Sequence, residues 1–247
     1  VRYSVLVVFA HPDDETIIGP LMARYANEGH AVWLISLTSG QRGVRPHFGM
    51  PAGEQLGKLR EEELRCAARA LGIHPPFLLG YQDQGISSDA AIAEAAARVR
   101  QIVDETRADV MITFGPDGMT GHGDHRAAGA IATVSYQQQA LLRHQPRKLY
   151  YIALPESLFL ENPDPLHRRR PFWTVSDAFI TTVIDCGEHL DQGFRAFDCH
   201  KTQWAPKRVE ELKDYYRRIL GGRAYLRLAL SRTPFPHSRE SSVFEGL

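Results

Sequence analysis

The segment YSVLVVFAHPDDE, Tyr3 to Glu15, joins an apolar run to a cluster of ionisable side chains. Its first eight residues, Tyr3 to Ala10, are a near-continuous β-branched apolar run, the pattern expected of a strand covered on both faces. The run stops against His11, Asp13, Asp14 and Glu15. One imidazole and three carboxylates are costly to bury and repel one another where charged, so a positively charged partner is expected beside them.

Working outward, Ile17, Ile18, Leu21, Met22 and Tyr25 recur at helical spacing within Glu15 to Gly29, and AVWLISLT (Ala31 to Thr38) repeats the buried-strand pattern. That is one strand–helix–strand unit, and the pattern continues. A Gly- and Pro-rich loop, SGQRGVRPHFGMPAG, is too long for a tight connection and reads as functional. A helix from Glu54 to Leu71 closed by Gly72, a strand at Phe77 to Gly80, a helix from Ala90 to Thr106 and a strand at Asp109 to Gly115 follow. A helix from Asp124 to Arg143 and a fifth strand at Lys148 to Leu154 complete the repeat. Beyond it come a charged loop holding Arg168 to Arg170, read as solvated, an alternating stretch from Phe179 to Ile184, and helices at Glu188 to Lys201 and Val209 to Leu220. An irregular tail with Pro234 and Pro236 ends the chain.

Alternating strands and helices give an α/β fold, Rossmann-like and doubly wound, with a mainly parallel sheet of core order 3-2-1-4-5 and helices on both faces. One domain over residues 1–247 is expected, with a core at 3–154 and a C-terminal strand and helix extension at 172–247. In that order the first strand neighbours the fourth, and the crevice at their carboxyl ends is the expected ligand site.

Composition narrows the function classes. Lys plus Arg and Asp plus Glu number 29 each, which gives no reason to expect nucleic acid or an anionic membrane surface as partner. Cys66, Cys186 and Cys199 are an odd number at no metal-like spacing, arguing against disulfides and for a reducing, cytoplasmic compartment. The apolar run Val5 to Ala10 is too short for a membrane span and lacks a cationic leader, while Val1 suggests a trimmed start. Homo-oligomer formation is left open.

The loop after the fourth strand reads GPDGMTGHGDHRA, with His122, Asp124 and His125 at the mouth of a helix. Each motif alone has a bland reading: HPDD as a turn whose Asp caps the next helix, HGDH as a helix start with exposed histidines. Together, at the ends of strands expected to be neighbours, they place His11, Asp14 and His125 where all three can ligate a metal ion. Two imidazoles and one carboxylate leave a coordination position open, as in catalytic zinc sites, although Fe2+ suits the same set. Asp13 is then the candidate base for a metal-bound water, His122 the acid or oxyanion stabiliser, and Asp124 an orienting partner for a histidine.

AHPDDE followed by a helix, LREEELRCAARALGI, GYQDQGI, GHGDHR and CHKTQW, in this order, resemble the LmbE-like or PIG-L family of zinc-dependent deacetylases, from about Tyr3 through Trp204. The resemblance implies Zn2+ held by His11, Asp14 and His125, Asp13 as general base, His122 as acid or electrostatic stabiliser with Asp124 its partner, and sugar contacts at Arg60 and Asp83. It implies removal of an acetyl group from an N-acetylglucosamine-type small molecule, with an amidase acting on a thiol conjugate or non-sugar amide as the alternative. Two positions depart from the related YGHPDH motif: Thr120 stands in place of Tyr and Gly123 in place of Pro. The guanidinium groups of Arg42 and Arg45 suit an anionic or polyhydroxylated substituent. A nucleotide-binding module is disfavoured, since FAHPDDE lacks the glycines a pyrophosphate needs and its carboxylates repel phosphate.

Overall fold

The computed structural model describes residues 1–138, 143–161 and 172–247; the Arg168 to Arg170 run lies outside the described residues. Strand β1 (Ser4–Phe9) is buried along its whole length. It is flanked in parallel by β2 (Ala31–Thr38) and β4 (Val110–Phe114), with Val5 opposite both Val32 and Val110. Strand β3 (Phe77–Tyr81) extends the sheet beyond β2, and β5 (Lys148–Ile152) extends it beyond β4, both parallel. The order β3-β2-β1-β4-β5 is the doubly wound core expected from the sequence.

Helices α1 (Gly19–Asn27), α2 (Glu54–Leu71), α3 (Asp89–Thr106) and α4 (Gly123–Gln137) connect these strands. The first crossover is not one continuous helix. Residues Asp14–Ile17 form a tighter 3-10 turn, and the α-helix starts afresh at Gly19 with Pro20 in its first turn, where a missing N–H costs nothing. Helix α4 is bounded at Gln137, and residues 139–142 of the span expected to run to Arg143 lie outside the described residues. Helix α5 (Leu190–Cys199) packs on α1 and α2, while α3 packs on α4.

Two antiparallel strands close the sheet, which runs on as β5-β7-β6 with β6 at Thr182–Asp185 and β7 at Arg223–Ser231. Strand β7, which follows helix α6 (Pro206–Leu220), is absent from the sequence reading. Ala224, Leu226 and Leu228 point inward and alternate with half-covered Tyr225 and Arg227, the period-2 pattern of a strand. The tail beyond it is irregular but anchored. Glu240, 1% exposed, accepts hydrogen bonds from Lys148 Nζ (2.5 Å), Tyr150 Oη (2.7 Å) and Thr182 Oγ1 (2.7 Å).

The three cysteines are not all free thiols, contrary to the expectation from their number and spacing. Cys66 on α2 and Cys199 at the end of α5 form a disulfide with Cα atoms 5.8 Å apart, joining positions 133 residues distant. The packing of α5 on α2 creates this proximity, and no spacing rule reports it. Cysteine usage therefore gives no support to a reducing compartment. Cys186 remains free and buried, and burial pushes its thiol up to about 12. Among the described residues, no helix is long and apolar enough to cross a membrane.

Candidate active site

The loops after β1 and β4 meet because their strands are hydrogen-bonded neighbours, with the rings of Phe9 and Phe114 4.8 Å apart beneath them. Asp14 Oδ2 accepts the N–H groups of Ala10 (3.1 Å) and His11 (2.8 Å), fixing the turn out of β1. The same carboxylate lies between two imidazoles, Oδ1 at 3.2 Å from His125 Nε2 and Oδ2 at 3.6 Å from His11 Nδ1. His125 stands in the first turn of α4 and stacks on Phe114 with centroids 4.1 Å apart. Its Nδ1 is 3.0 Å from the Gly118 carbonyl, which only accepts, so Nδ1 donates there while Nε2 faces the Asp14 carboxylate. The Thr120 hydroxyl is 3.4 Å from the same Nδ1.

His122 packs its ring 4.8 Å from that of His11 and 5.1 Å from that of His125, and its Nδ1 accepts the Asp124 main-chain N–H at 3.2 Å. The Asp124 carboxylate, read from the sequence as a partner for His122, lies instead on His11 Nε2 (3.0 Å) and accepts the Gln84 N–H (2.7 Å). Asp83 Oδ1 is 3.4 Å from His11 Nε2, and its Oδ2 accepts the Arg42 N–H at 3.1 Å. Two groups of donor atoms lie within 4.8 Å of one another: the ring nitrogens of His11, His122 and His125, and those of His11 with the carboxylates of Asp83 and Asp124. This nitrogen and oxygen set matches the chemistry of zinc or ferrous ligands.

Asp13 is held in a backbone conformation that L-residues rarely adopt, φ 109° and ψ −17°. Glu15 Oε2 accepts its N–H at 3.0 Å, Thr16 Oγ1 donates to its carbonyl at 2.6 Å, and Arg60 Nη2 lies 3.3 Å from its Oδ1. The other oxygen of Glu15 is bonded to Nε2 of His200, a fully buried histidine next to the disulfide. Sequence reasoning assigned no role to His200; its only signal was the CHKTQW block. Arg60, read as a sugar contact, is 3% exposed and donates to the carbonyls of Gly40 (2.7 Å) and Pro12. Gly40 and Gly43 make room for it, since a Cβ at either would fall 2.0 or 2.3 Å from Nη1. Its guanidinium thus braces the loop carrying Asp13, and it also lines the cavity.

Burial lowers the proton affinity of His11, but hydrogen bonds to Asp124, Asp14 and Asp83 outweigh it and hold the imidazole well above its ordinary value. Burial pushes the Asp13 carboxyl up, against the opposing charge of Arg60. Burial also disfavours ionised Asp83, yet the hydrogen bond to His11 brings it down to about 2. All these groups except Asp124 line one cavity of about 820 Å³, which continues past Trp204, Tyr215 and Tyr216.

A doubly wound α/β domain with imidazoles and carboxylates gathered at the carboxyl ends of adjacent strands is an enzyme scaffold with a histidine and carboxylate centre. Comparison with known proteins gives the family. The chain belongs to the PIG-L family, GlcNAc-PI de-N-acetylase, whose family model matches residues 6–136. The 1D-myo-inositol 2-acetamido-2-deoxy-alpha-D-glucopyranoside deacetylase 2 of Catenulispora acidiphila is 32% identical, over 99% of this chain and 97% of that protein. Among solved structures, the N,N'-diacetylchitobiose deacetylase from Pyrococcus horikoshii superposes with a TM-score of 0.69 at 17% identity, over 91% of this chain and 83% of that one. The 4-carboxy-2-hydroxymuconate hydratase from Pseudomonas putida KT2440 also gives 0.69 at 17% identity, over 94% and 98%. Those two likenesses show the fold alone, which carries more than one chemistry. Family and sequence relatives make this chain a deacetylase, an amide hydrolase.

Proposed function

We propose that the protein is a zinc-dependent hydrolase that removes the acetyl group from an N-acetylglucosamine-type substrate, in keeping with the names of its sequence relatives. The observation that supports this most is the convergence of His11, Asp14 and His125 with Asp13 and His122 on one cavity. His11, Asp14 and His125 would hold the ion, with Asp83 and Asp124 as further oxygen donors beside His11. When bound, a divalent ion polarises the amide carbonyl and acidifies water. Asp13, made more basic by burial, takes the proton of the attacking water. His122, on the opposite loop, donates to the oxyanion or to the departing amine. Arg60 keeps Asp13 in place, and Asp83 fixes the loop at Arg42.

Acetate release from an N-acetylglucosaminyl inositol, from N-acetylglucosamine itself and from non-sugar amides tests the reading. In the zinc-loaded enzyme, Asp13→Asn should keep its metal and lose about a hundredfold or more in kcat, the scale of a proton-transfer group. Hydrolysis of non-sugar amides with none on the sugars would instead support the amidase alternative. Unchanged turnover in Asp13→Asn would remove it as the base.

A further inference from the structure

Asp13 is aimed by its backbone as much as by its contact with Arg60. Its φ of 109° lies where L-residues rarely settle, and such a conformation persists only where neighbouring groups hold it. The peptide between Pro12 and Asp13 is held on both edges. Its carbonyl accepts from Arg60 Nη2, and its N–H donates to Glu15 Oε2 at 3.0 Å. The Asp13 carbonyl accepts in turn from the N–H and Oγ1 of Thr16, at 3.2 and 2.6 Å. With the peptide planes on either side of it fixed, the direction in which the Asp13 side chain leaves the main chain is fixed as well.

Glu15 holds the peptide only because it is itself held. It is 1% exposed, and its other oxygen accepts from Nε2 of the fully buried His200. A carboxylate in such surroundings needs partners on its oxygens. His200 is seated in turn by its place in the chain. It follows Cys199, which is bridged to Cys66 on α2, and its carbonyl accepts the N–H groups of Gln203 and Trp204, both at 3.0 Å. Glu63, one turn before Cys66 on the same helix, accepts from the N–H and Oγ1 of Thr202 at 2.7 and 2.6 Å. Helix α2 thus carries both holds: Arg60 on the peptide carbonyl, and the bridge and Glu63 that seat His200, which reaches the peptide N–H through Glu15. Neither Glu15 nor His200 lines the cavity, so neither reaches a substrate. Stability alone gives little reason for the arrangement, since apolar side chains of similar volume often replace a buried ion pair without loss.

We propose that Glu15 and His200 are positioning residues for the base: His200 holds the Glu15 carboxylate, and Glu15 holds the Asp13 peptide so that the Asp13 carboxylate meets the attacking water. This role rests on the deacetylase reading above and adds to it how the base is aimed. Misplacing a reacting group by about 1 Å can cost about a hundredfold in rate, so releasing the hold acts on turnover rather than on substrate binding.

The test uses zinc-loaded His200→Leu, which fills the space without an N–H, and His200→Gln, which keeps a donor. With an N-acetylglucosaminyl inositol as substrate, His200→Leu should lose about 10- to 100-fold in kcat, with KM within about twofold of wild type and zinc content unchanged. His200→Gln should recover most of that loss. Because the effect runs through Asp13, adding His200→Leu to Asp13→Asn should lower kcat no further, which a general loosening of the fold would not reproduce. A folded His200→Leu that turns over at the wild-type rate, or a loss repeated in full in the Asp13→Asn background, overturns the proposal. A second readout needs no activity: amide exchange followed by NMR in protein carrying isotope-labelled aspartate. The Asp13 amide should exchange about tenfold or more faster in His200→Leu than in wild type, while the Asp109 amide, bonded to the Ser4 carbonyl at 2.8 Å, keeps its protection. Glu15→Gln, equal in size but a weaker acceptor, carries the same measurement should His200→Leu not fold. Faster Asp13 exchange, with no acetate released by wild type from any N-acetylglucosaminide, keeps the hold and removes the deacetylase. Unchanged exchange in the variants of an enzyme that does release acetate removes the hold and leaves the deacetylase.

Discussion

At the scale of single residues, the four polar groups after Ala10 resolve into different jobs. Asp14 and His11 face the second loop, Asp13 is held in its left-handed conformation, and Glu15 turns away to His200. Because His11 touches Asp14, Asp83 and Asp124 together, replacement of each carboxylate by Ala should sort ligands from supports. Asp14→Ala is expected to abolish stoichiometric zinc, whereas the other two should weaken it about 10- to 100-fold, the usual cost of losing an outer partner. Metal analysis after dialysis reads this directly, and full zinc in Asp14→Ala would transfer its role to Asp83 and Asp124. His200 gives a pH-dependent stability. Burial lowers its proton affinity, but Glu15 prevails and raises its folded pKa above the ordinary 6.5. A pKa raised on folding contributes fully below the unfolded value, and that contribution is lost as pH rises through the folded one. The gap in Tm between wild type and His200→Gln should therefore be widest below about pH 6.5 and narrow toward alkaline pH. A gap that widens upward would show His200 to be neutral in the fold.

At the scale of elements, β1, β2 and α2 follow from local pattern because β1 is buried throughout, β2 nearly so, and α2 buries one helical face; β2 and α2 have the bounds read from the sequence. Strand β7 escaped that reading: its inward residues alternate with Tyr225 and Arg227, and it joins the sheet antiparallel at a position no local pattern specifies. The tail illustrates the same limit. Around its prolines it has no periodic signal, yet Glu240 bonds Lys148 and Tyr150 of β5 and Thr182 of β6. Lys148 is 1% exposed, so Glu240→Ala leaves a buried ammonium without its carboxylate. Unfolding in urea should register a loss of about 3–5 kcal/mol, the cost of breaking a buried ion pair from one side. A loss below about 1 kcal/mol would mean that the pair is no more than a surface-type contact.

At the scale of the whole molecule, the Cys66–Cys199 bridge joins the helix that carries Arg60 to the segment that carries His200, and both side chains bear on the Asp13 loop. Thiol titration in denaturant without reductant should find one reactive cysteine, Cys186, and three after reduction. Cys66→Ser with Cys199→Ser should lower stability by about 2–4 kcal/mol, the typical contribution of a bridge. Three thiols before reduction would remove the bridge.

The amino-acid pattern alone carries the doubly wound core, since apolar runs and 3.6-residue periodicity are local properties and right-handed crossovers leave few ways to arrange them. It also singled out His11, Asp14, Asp13, His122 and His125, because charged groups at the ends of buried strands conflict with their surroundings unless they serve a site. Packing in three dimensions set what depends on distance between remote segments: the bridge between positions 133 residues apart, the insertion of β7 beside β5, the placement of Asp124 on His11 rather than His122, and the commitment of Arg60 to the backbone of the Asp13 loop. Each of these is a contact between side chains or strands whose approach is set by how helices and sheet pack. A one-dimensional pattern carries the propensity of each partner but not the distance between them.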